Sequence, residues 1–260
     1  MNKNNKKKVK TVLITGATGD LGREFVNGFS KLGFNILFTS RNLQKSKKLI
    51  QLAKKNGCEK INDIQIDFED INAVKKIIQK IRELELYPDI LINNARDKKN
   101  LAVNPKGIVE RDKWIGEFTI NLIVPYELSL KLAQMNKSKL KNIINISSIY
   151  GVVAPNINIY KNPKRESAIN YGTVKAAIIH LTKELAVRLA SKKITVNSIS
   201  FGGVKSEQTK LFQKKYSSLS PQKKMLSKKE VFGAIKFLTS SDSSGMNGQN
   251  IIVDGGWTIW

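Results

Sequence analysis

The segment Thr15-Gly16-Ala17-Thr18-Gly19-Asp20-Leu21-Gly22 follows a short apolar run, Thr11 to Thr15, and leads into an amphipathic stretch from about Asp20 to Leu32. Three glycines between a first strand and a first helix restrict what the rest of the chain can become. Gly16 allows a tight turn, Gly19 lets backbone approach a phosphate, and Gly22 permits close helix–strand packing. The N–H groups that open the helix then face the anion. A glycine-rich turn without a ligand is the bland alternative, but here the motif opens the first βα unit, where a dinucleotide fold needs it.

The remaining sequence alternates in the same way. Strands are expected at Ile36 to Thr39, Ile64 to Ile66, Ile90 to Ile92, Ile143 to Ile146, Ile194 to Ile199 and Ile251 to Val253. Helices are expected over Gln44 to Lys55, Val74 to Leu84, Lys113 to Met135, Ala168 to Leu189 and Lys228 to Leu238. Apolar spacing at Val74, Ile77, Ile78 and Ile81 is helical, Pro88 breaks that helix, and Pro125 must kink the long one or mark a local irregularity in it. The pattern predicts an α/β protein: a single-domain Rossmann fold, a doubly wound parallel sheet of about seven strands flanked by helices. Residues 1–10 read as a disordered basic tail and 11–260 as the folded domain. The polar stretch around 201–226 reads as a mobile substrate lid.

Composition narrows the partners. The formal charge is +24, from 45 Lys and Arg against 21 Asp and Glu, yet the lysines are scattered and no stretch interleaves them with aromatics. Nucleic-acid binding is therefore not expected, whereas anionic small molecules would be attracted by the field. The apolar run Val12-Leu13-Ile14 is too short for a signal core or a membrane span, and the single cysteine, Cys58, has no internal partner. A cytoplasmic protein without membrane contact, and without a metal site, is expected.

The chemistry concentrates in Tyr171 and Lys175. Residues i and i+4 share a helix face, so a phenol and an ammonium can point into one cleft, where the positive charge favours the phenolate. Ser147-Ser148 follows a later strand and supplies hydroxyl donors. Tyr150 and Tyr160 are competing phenols without a lysine four positions on, and His180 reads as a packed or interface residue. The second strand ends at Thr39-Ser40-Arg41 with no acidic residue for ribose hydroxyls, so Ser40 and Arg41 are candidates to hold a 2′-phosphate; NADP(H) is favoured over NAD(H). Asp67, with Phe68, is placed for the adenine edge, and Asn93-Asn94-Ala95 for the crevice near the adenosine ribose.

Taken together, the glycine turn, Asn93-Asn94-Ala95, Asn121, Asn145-Ile146-Ser147-Ser148, Tyr171 with Lys175, Val196-Asn197-Ser198-Ile199-Ser200 and Val253-Asp254-Gly255-Gly256 resemble the short-chain dehydrogenase/reductase family over nearly the whole chain after Lys10. The resemblance implies a carbonyl–alcohol oxidoreductase. Ser148 would hold the substrate oxygen, Tyr171 would pass it a proton, and Lys175 would support the tyrosine and hold the nicotinamide ribose. Asn121 would support Lys175 through a bound water. Gly16, Thr18, Gly19, Asp20, Leu21, Gly22, Asn94, Ala95, Gly202 and Val204 would contact cofactor, and a homodimer or homotetramer is implied.

Several positions depart from the pattern. Asp20 replaces a glycine, Arg96 replaces the glycine after Asn93-Asn94-Ala95, and Phe201 replaces a proline before Gly202. About ten extra residues separate Ser148 from Tyr171, and the segment from Ala154 to Arg165 is expected to lie over the substrate pocket. This region is similar to oxidoreductases of bacterial surface-sugar and flagellin-modification clusters, which suggests a sugar or sugar phosphate met by Lys161, Lys164 and Arg165. Two alternatives stay open: a nucleotide-sugar epimerase or dehydratase, prompted by the glycine spacing, and a non-catalytic dinucleotide-binding protein of the same fold.

Overall fold

The computed structural model describes residues 9–259, so the tail expected over 1–10 lies almost wholly outside the described residues. Seven strands form one parallel sheet: β1 Thr11–Ile14, β2 Asn35–Ser40, β3 Ile61–Gln65, β4 Ile90–Asn93, β5 Asn142–Ser148, β6 Thr195–Phe201 and β7 Asn250–Val253. Their spatial order is β3-β2-β1-β4-β5-β6-β7. Strands covered on both faces need no polar side, which is why β1 and β4 carry the runs Val12-Leu13-Ile14 and Ile90-Leu91-Ile92, all at most 1% exposed.

Helices cover the two faces. On one, α1 (Asp20–Lys31), α2 (Leu43–Lys55) and α9 (Val231–Leu238) bury Phe25, Phe29, Leu49, Val231 and Ile235 against β1, β2 and β4. On the other, α3 (Ala73–Leu84), α5 (Val124–Ala133) and α7 (Ile169–Leu189) bury Ile77, Ile81, Leu128 and Leu185. The chain winds outward from β1 to β3 and returns to β4 on the opposite side of β1. The carboxyl ends of β1 and β4 therefore open a crevice at the point where the winding reverses.

Two expectations need correction. The long helix over Lys113 to Met135 is two helices, α4 (Arg111–Phe118) and α5, joined by a π turn over Thr119–Ile123 in which the Val124 N–H reaches back to the Thr119 carbonyl. Pro125, at the start of α5, donates no hydrogen bond to the preceding turn, so the irregularity falls just upstream of it rather than at it. Strand β3 begins at Ile61, earlier than Ile64, because as an edge strand it tolerates the polar Asn62, Asp63 and Gln65. The polar stretch after β6, expected to form the substrate lid, carries a helix, α8 (Lys210–Leu219), whose Tyr216 is buried and whose Phe212 and Leu219 pack beside Trp257 and Ile159. Val204 pairs with Leu226 across the base of this segment.

Candidate active site

Every reacting group expected from the sequence stands at the carboxyl end of the sheet. The glycine turn leads from β1 into α1, and its backbone is pressed against the residue after β4. A Cβ on Gly16, whose φ is +63°, would lie 2.7 Å from Ala95 Cα, and one on Gly22 would lie 2.6 Å from Ala17 Cα. Asn94 locks this contact: its Nδ2 donates to the Thr15 carbonyl at 2.9 Å, while the N–H groups of Asn94 and Ala95 both donate to Thr15 Oγ1. Asn93 instead faces the interior and donates to Asn145. A cleft of about 700 Å³ runs from Gly16, Gly19, Leu21 and Gly22 past Ser148, Tyr171 and Lys175 to Gly202 and Val204. A second recess of about 440 Å³ continues it past Thr18, Arg41, Asp67 and Phe68. Bare backbone at a helix N-terminus, continued by a second recess, is an arrangement that fits an extended dinucleotide.

Lys175 projects from α7 and is 6% exposed. Its Nζ donates to Asn121 Oδ1 and to the Ile146 carbonyl, both at 2.9 Å, and lies 5.8 Å from the centroid of the Tyr171 ring. The bond from Asn121 is direct, where a bridging water was expected. The π turn accounts for it, because it sets the Asn121 side chain on the inner side of the helix joint, with Nδ2 tied to the Glu117 carbonyl. Burial pushes the Lys175 ammonium down from its ordinary range, opposed by the carboxylate of Glu117.

Ser148 lines the cleft, and its oxygen accepts from the Tyr150 N–H at 3.2 Å, leaving its hydroxyl proton free to donate. Ser147, the alternative, gives its proton to the Lys175 carbonyl at 2.8 Å and so braces α7. The competing phenols are bonded to one another, Tyr160 Oη to Tyr150 Oη at 3.0 Å, and burial pushes both up from the ordinary phenol range. Tyr150 meets Tyr171 edge to face at 6.4 Å, and Tyr216 stacks on Trp257 at 5.7 Å, so the substrate end of the cleft is walled by aromatic rings.

The expected phosphate grip is rearranged. The Ser40 hydroxyl is buried and bonded to Ser46, Asp63 and Gln65, so it is committed to the sheet edge rather than to a ligand. Arg41 borders the recess but is held by Asp97 at 2.5 Å with Asp67 at 3.9 Å. Asp20 turns away from the glycine turn, accepting from the Ser206 hydroxyl at 3.1 Å, with Arg23 at 3.4 Å and Lys228 at 3.6 Å. Burial raises its carboxyl, but Ser206, Lys228 and Arg23 outweigh burial and hold it below the usual carboxylate range. The insertion after Ser148 does reach the cleft through Tyr160, as does Glu166 at the end of the short helix α6 (Pro163–Glu166); Lys161, Lys164 and Arg165 do not line it and face solvent. His180 is not packed either; it is exposed beside Glu184.

One residue escaped the sequence reading. Glu117 is fully buried in α4, and neither carboxyl oxygen has a hydrogen-bond partner. Burial raises its carboxyl to about 6 against the pull of Lys175 and Arg96. Its only signal in the sequence is an acid four residues before Asn121, on the same helix face.

The comparisons with known proteins agree with this geometry. The family profile described as enoyl-(acyl carrier protein) reductase matches residues 16–258. A 3-oxoacyl-[acyl-carrier-protein] reductase of Buchnera aphidicola is 33% identical, over 95% of this chain and 96% of its own. A post-translational flagellin modification protein A of Campylobacter coli is 39% identical over 47% of this chain and 48% of its own. Among solved structures, 4-hydroxyisoleucine dehydrogenase complexed with NADH superposes with a TM-score of 0.82 at 26% identity, covering 96% of this chain and 99% of that one. ElxO with NADP bound gives 0.82 at 28% identity, covering 97% and 100%. The chain belongs to the short-chain dehydrogenase/reductase family. It is an NAD(P)-dependent oxidoreductase of that type. No described helix is long and apolar enough to cross a membrane.

Proposed function

We propose that the protein is an NADP(H)-preferring reductase that interconverts a carbonyl and a secondary alcohol on a small, polar, sugar-derived or acid-bearing substrate. The observation that carries this reading is the convergence of Ser148, Tyr171 and Lys175 on the cleft beside the glycine turn, with buried Asn121 accepting from Lys175 behind it. The bound nicotinamide supplies the hydride. The protein's own residues handle the oxygen: Ser148 donates a hydrogen bond to it, and Tyr171 gives it a proton as negative charge develops there. Lys175, kept in place by Asn121 and the Ile146 carbonyl, stabilises the tyrosine once it has given up that proton.

The preference for NADP(H) is supported by the absence of an acidic residue at the end of β2 and by Arg41 and Lys45 on the recess; Asp67 and Asp97 work against it by occupying Arg41. Titration should give a lower Kd for NADPH than for NADH, and Arg41→Ala should narrow the gap; equal or reversed affinities would refute the preference. Sugar chemistry is supported by likeness to the flagellin modification protein and by the polar, aromatic-walled cleft. Keto-sugars, simple ketones and a 3-oxoacyl thioester should be compared by NADPH absorbance. Tyr171→Phe should cost ~10²–10⁴-fold in turnover while NADPH still binds. Turnover of none of these compounds by the wild type would leave a binding protein instead.

Exposed Ile115, Ile123, Tyr126 and Ile169 on α4, α5, α7 and the joint between them support assembly into a homodimer or homotetramer. The unpaired, buried Cys58 suits a reducing, cytoplasmic compartment.

A further inference from the structure

Two cations stand at the same distance from the Tyr171 ring, but only one has a task so far. Lys175 is buried and its ammonium is spent on Asn121 and Ile146. Arg96, in the loop after β4, holds its guanidinium carbon 5.8 Å from the ring centroid, is exposed, and borders both the cleft and the recess. No carboxylate pairs with it among the described residues, whereas Arg41, which borders the same recess, is taken by Asp97. Of the acids that line the cleft, Asp20 is held by Ser206, Arg23 and Lys228, Glu166 by the backbone N–H groups of Lys161 and Asn162, and Glu207, next to Ser206, makes no ion pair with Arg96. Glu117 lies behind the site, and its charge is felt by Arg96 and Lys175 only through space, with no hydrogen bond or ion pair to either. The reacting end of the cleft is thus left with a fork of N–H donors, next to the Tyr171 phenol, that no carboxylate engages directly among the described residues.

A guanidinium presents paired donors matched to carboxylate or phosphate oxygens, and such charge-assisted bonds strengthen as water is excluded. We propose that Arg96 anchors an anionic group carried by the substrate itself, a carboxylate or phosphate a few bonds from the reacting carbon, so that the substrates are small oxo acids or acidic sugars rather than neutral ketones. This rests on the reductase reading above. Because Arg96 touches the ring of Tyr171, the anion and the reacting oxygen bind side by side, a separation that roughly two to four bonds of substrate span. Arg96 also explains why the basic residues of the insertion need not reach the cleft.

The test compares wild type with Arg96→Gly on two matched pairs: acetoacetate against methyl acetoacetate, and dihydroxyacetone phosphate against dihydroxyacetone. Wild type should favour the anionic member of at least one pair, and the pair that responds tells carboxylate from phosphate. Arg96→Gly should lower kcat/KM for that anionic member by about 10–100-fold while changing its neutral counterpart by less than about 3-fold, with NADPH Kd unchanged. An equal loss on both members, or a loss traced to weaker NADPH binding, would overturn the assignment. A second arm needs no turnover: acetoacetate or dihydroxyacetone phosphate should raise the melting temperature of the NADP-saturated wild type and not of the variant. Stabilisation lost in Arg96→Gly in a protein that reduces nothing would sink the reductase reading and keep the anion site; equal stabilisation of both proteins would sink the anion site.

Discussion

Glu117 shows how much a single buried group can alter this site. An acid enclosed without a hydrogen-bond partner resists ionisation, and its carboxyl, raised from 4.5 to about 6, contributes stability that is complete below pH 4.5 and is lost as pH rises through about 6. Glu117→Gln removes that loss. The wild type should therefore fall by about 1–2 kcal/mol relative to the Gln variant between pH 4.5 and 7, measured by paired denaturant melts across that range. Parallel curves for the two proteins would mean that the acid is not buried as described. In the same variant Lys175 loses its opposing charge, so the alkaline limb of the rate profile should move to lower pH. Sequence reading singled out Ser148, Tyr171, Lys175 and Asn121 as candidates because each lies in a motif. It missed Glu117 because a buried acid has no periodic signature, and it misjudged Ser40 because the side-chain bonds of a strand end depend on the neighbouring strand.

At the scale of elements, the helix α1 meets the strand β1 through bare backbone. Gly22→Ala would place a methyl 2.6 Å from Ala17 Cα, backbone against backbone, with no flexible side chain to yield. Overpacking of this kind costs about 1–3 kcal/mol, and here it would also displace the helix end proposed to receive phosphate. The variant should melt lower and bind NADPH at least about 10-fold more weakly by fluorescence titration; unchanged binding would remove the glycine turn from the cofactor site. Local patterns were sufficient for most elements, since strand runs and helix spacing report directly on burial. The π turn at Thr119–Ile123 was only half visible, as Pro125 announces an irregularity without fixing its place. Helix α8 was hidden by its lysines, although Leu211, Phe212, Tyr216 and Leu219 have helical spacing.

Across the whole molecule, a formal charge of +24 surrounds a cleft that takes an anionic cofactor. The field of scattered lysines extends about one Debye length, roughly 8 Å at physiological salt, so its help in drawing in NADPH should fade as salt is added. The Kd for NADPH should rise about 3–10-fold between 20 and 300 mM NaCl, while the melting temperature of the free protein changes little. Flat affinity over that range would confine the attraction to direct contacts in the recess. The overall winding was readable because strand and helix alternate with so few interruptions, whereas the partners of individual charges, such as Arg41 with Asp97, join residues far apart in the chain and become visible only once the sheet is assembled.

The ammonium of Lys175 is gripped from two directions, by the joint between α4 and α5 and by the last turn of sheet at Ile146, while the lysine itself belongs to α7. Three distant stretches of polypeptide must therefore arrive together before turnover can begin. If Lys175 acts as proposed, loosening any one of them should slow turnover before the helices are lost, so that catalytic rate would report on structural integrity earlier than a spectrum of the backbone.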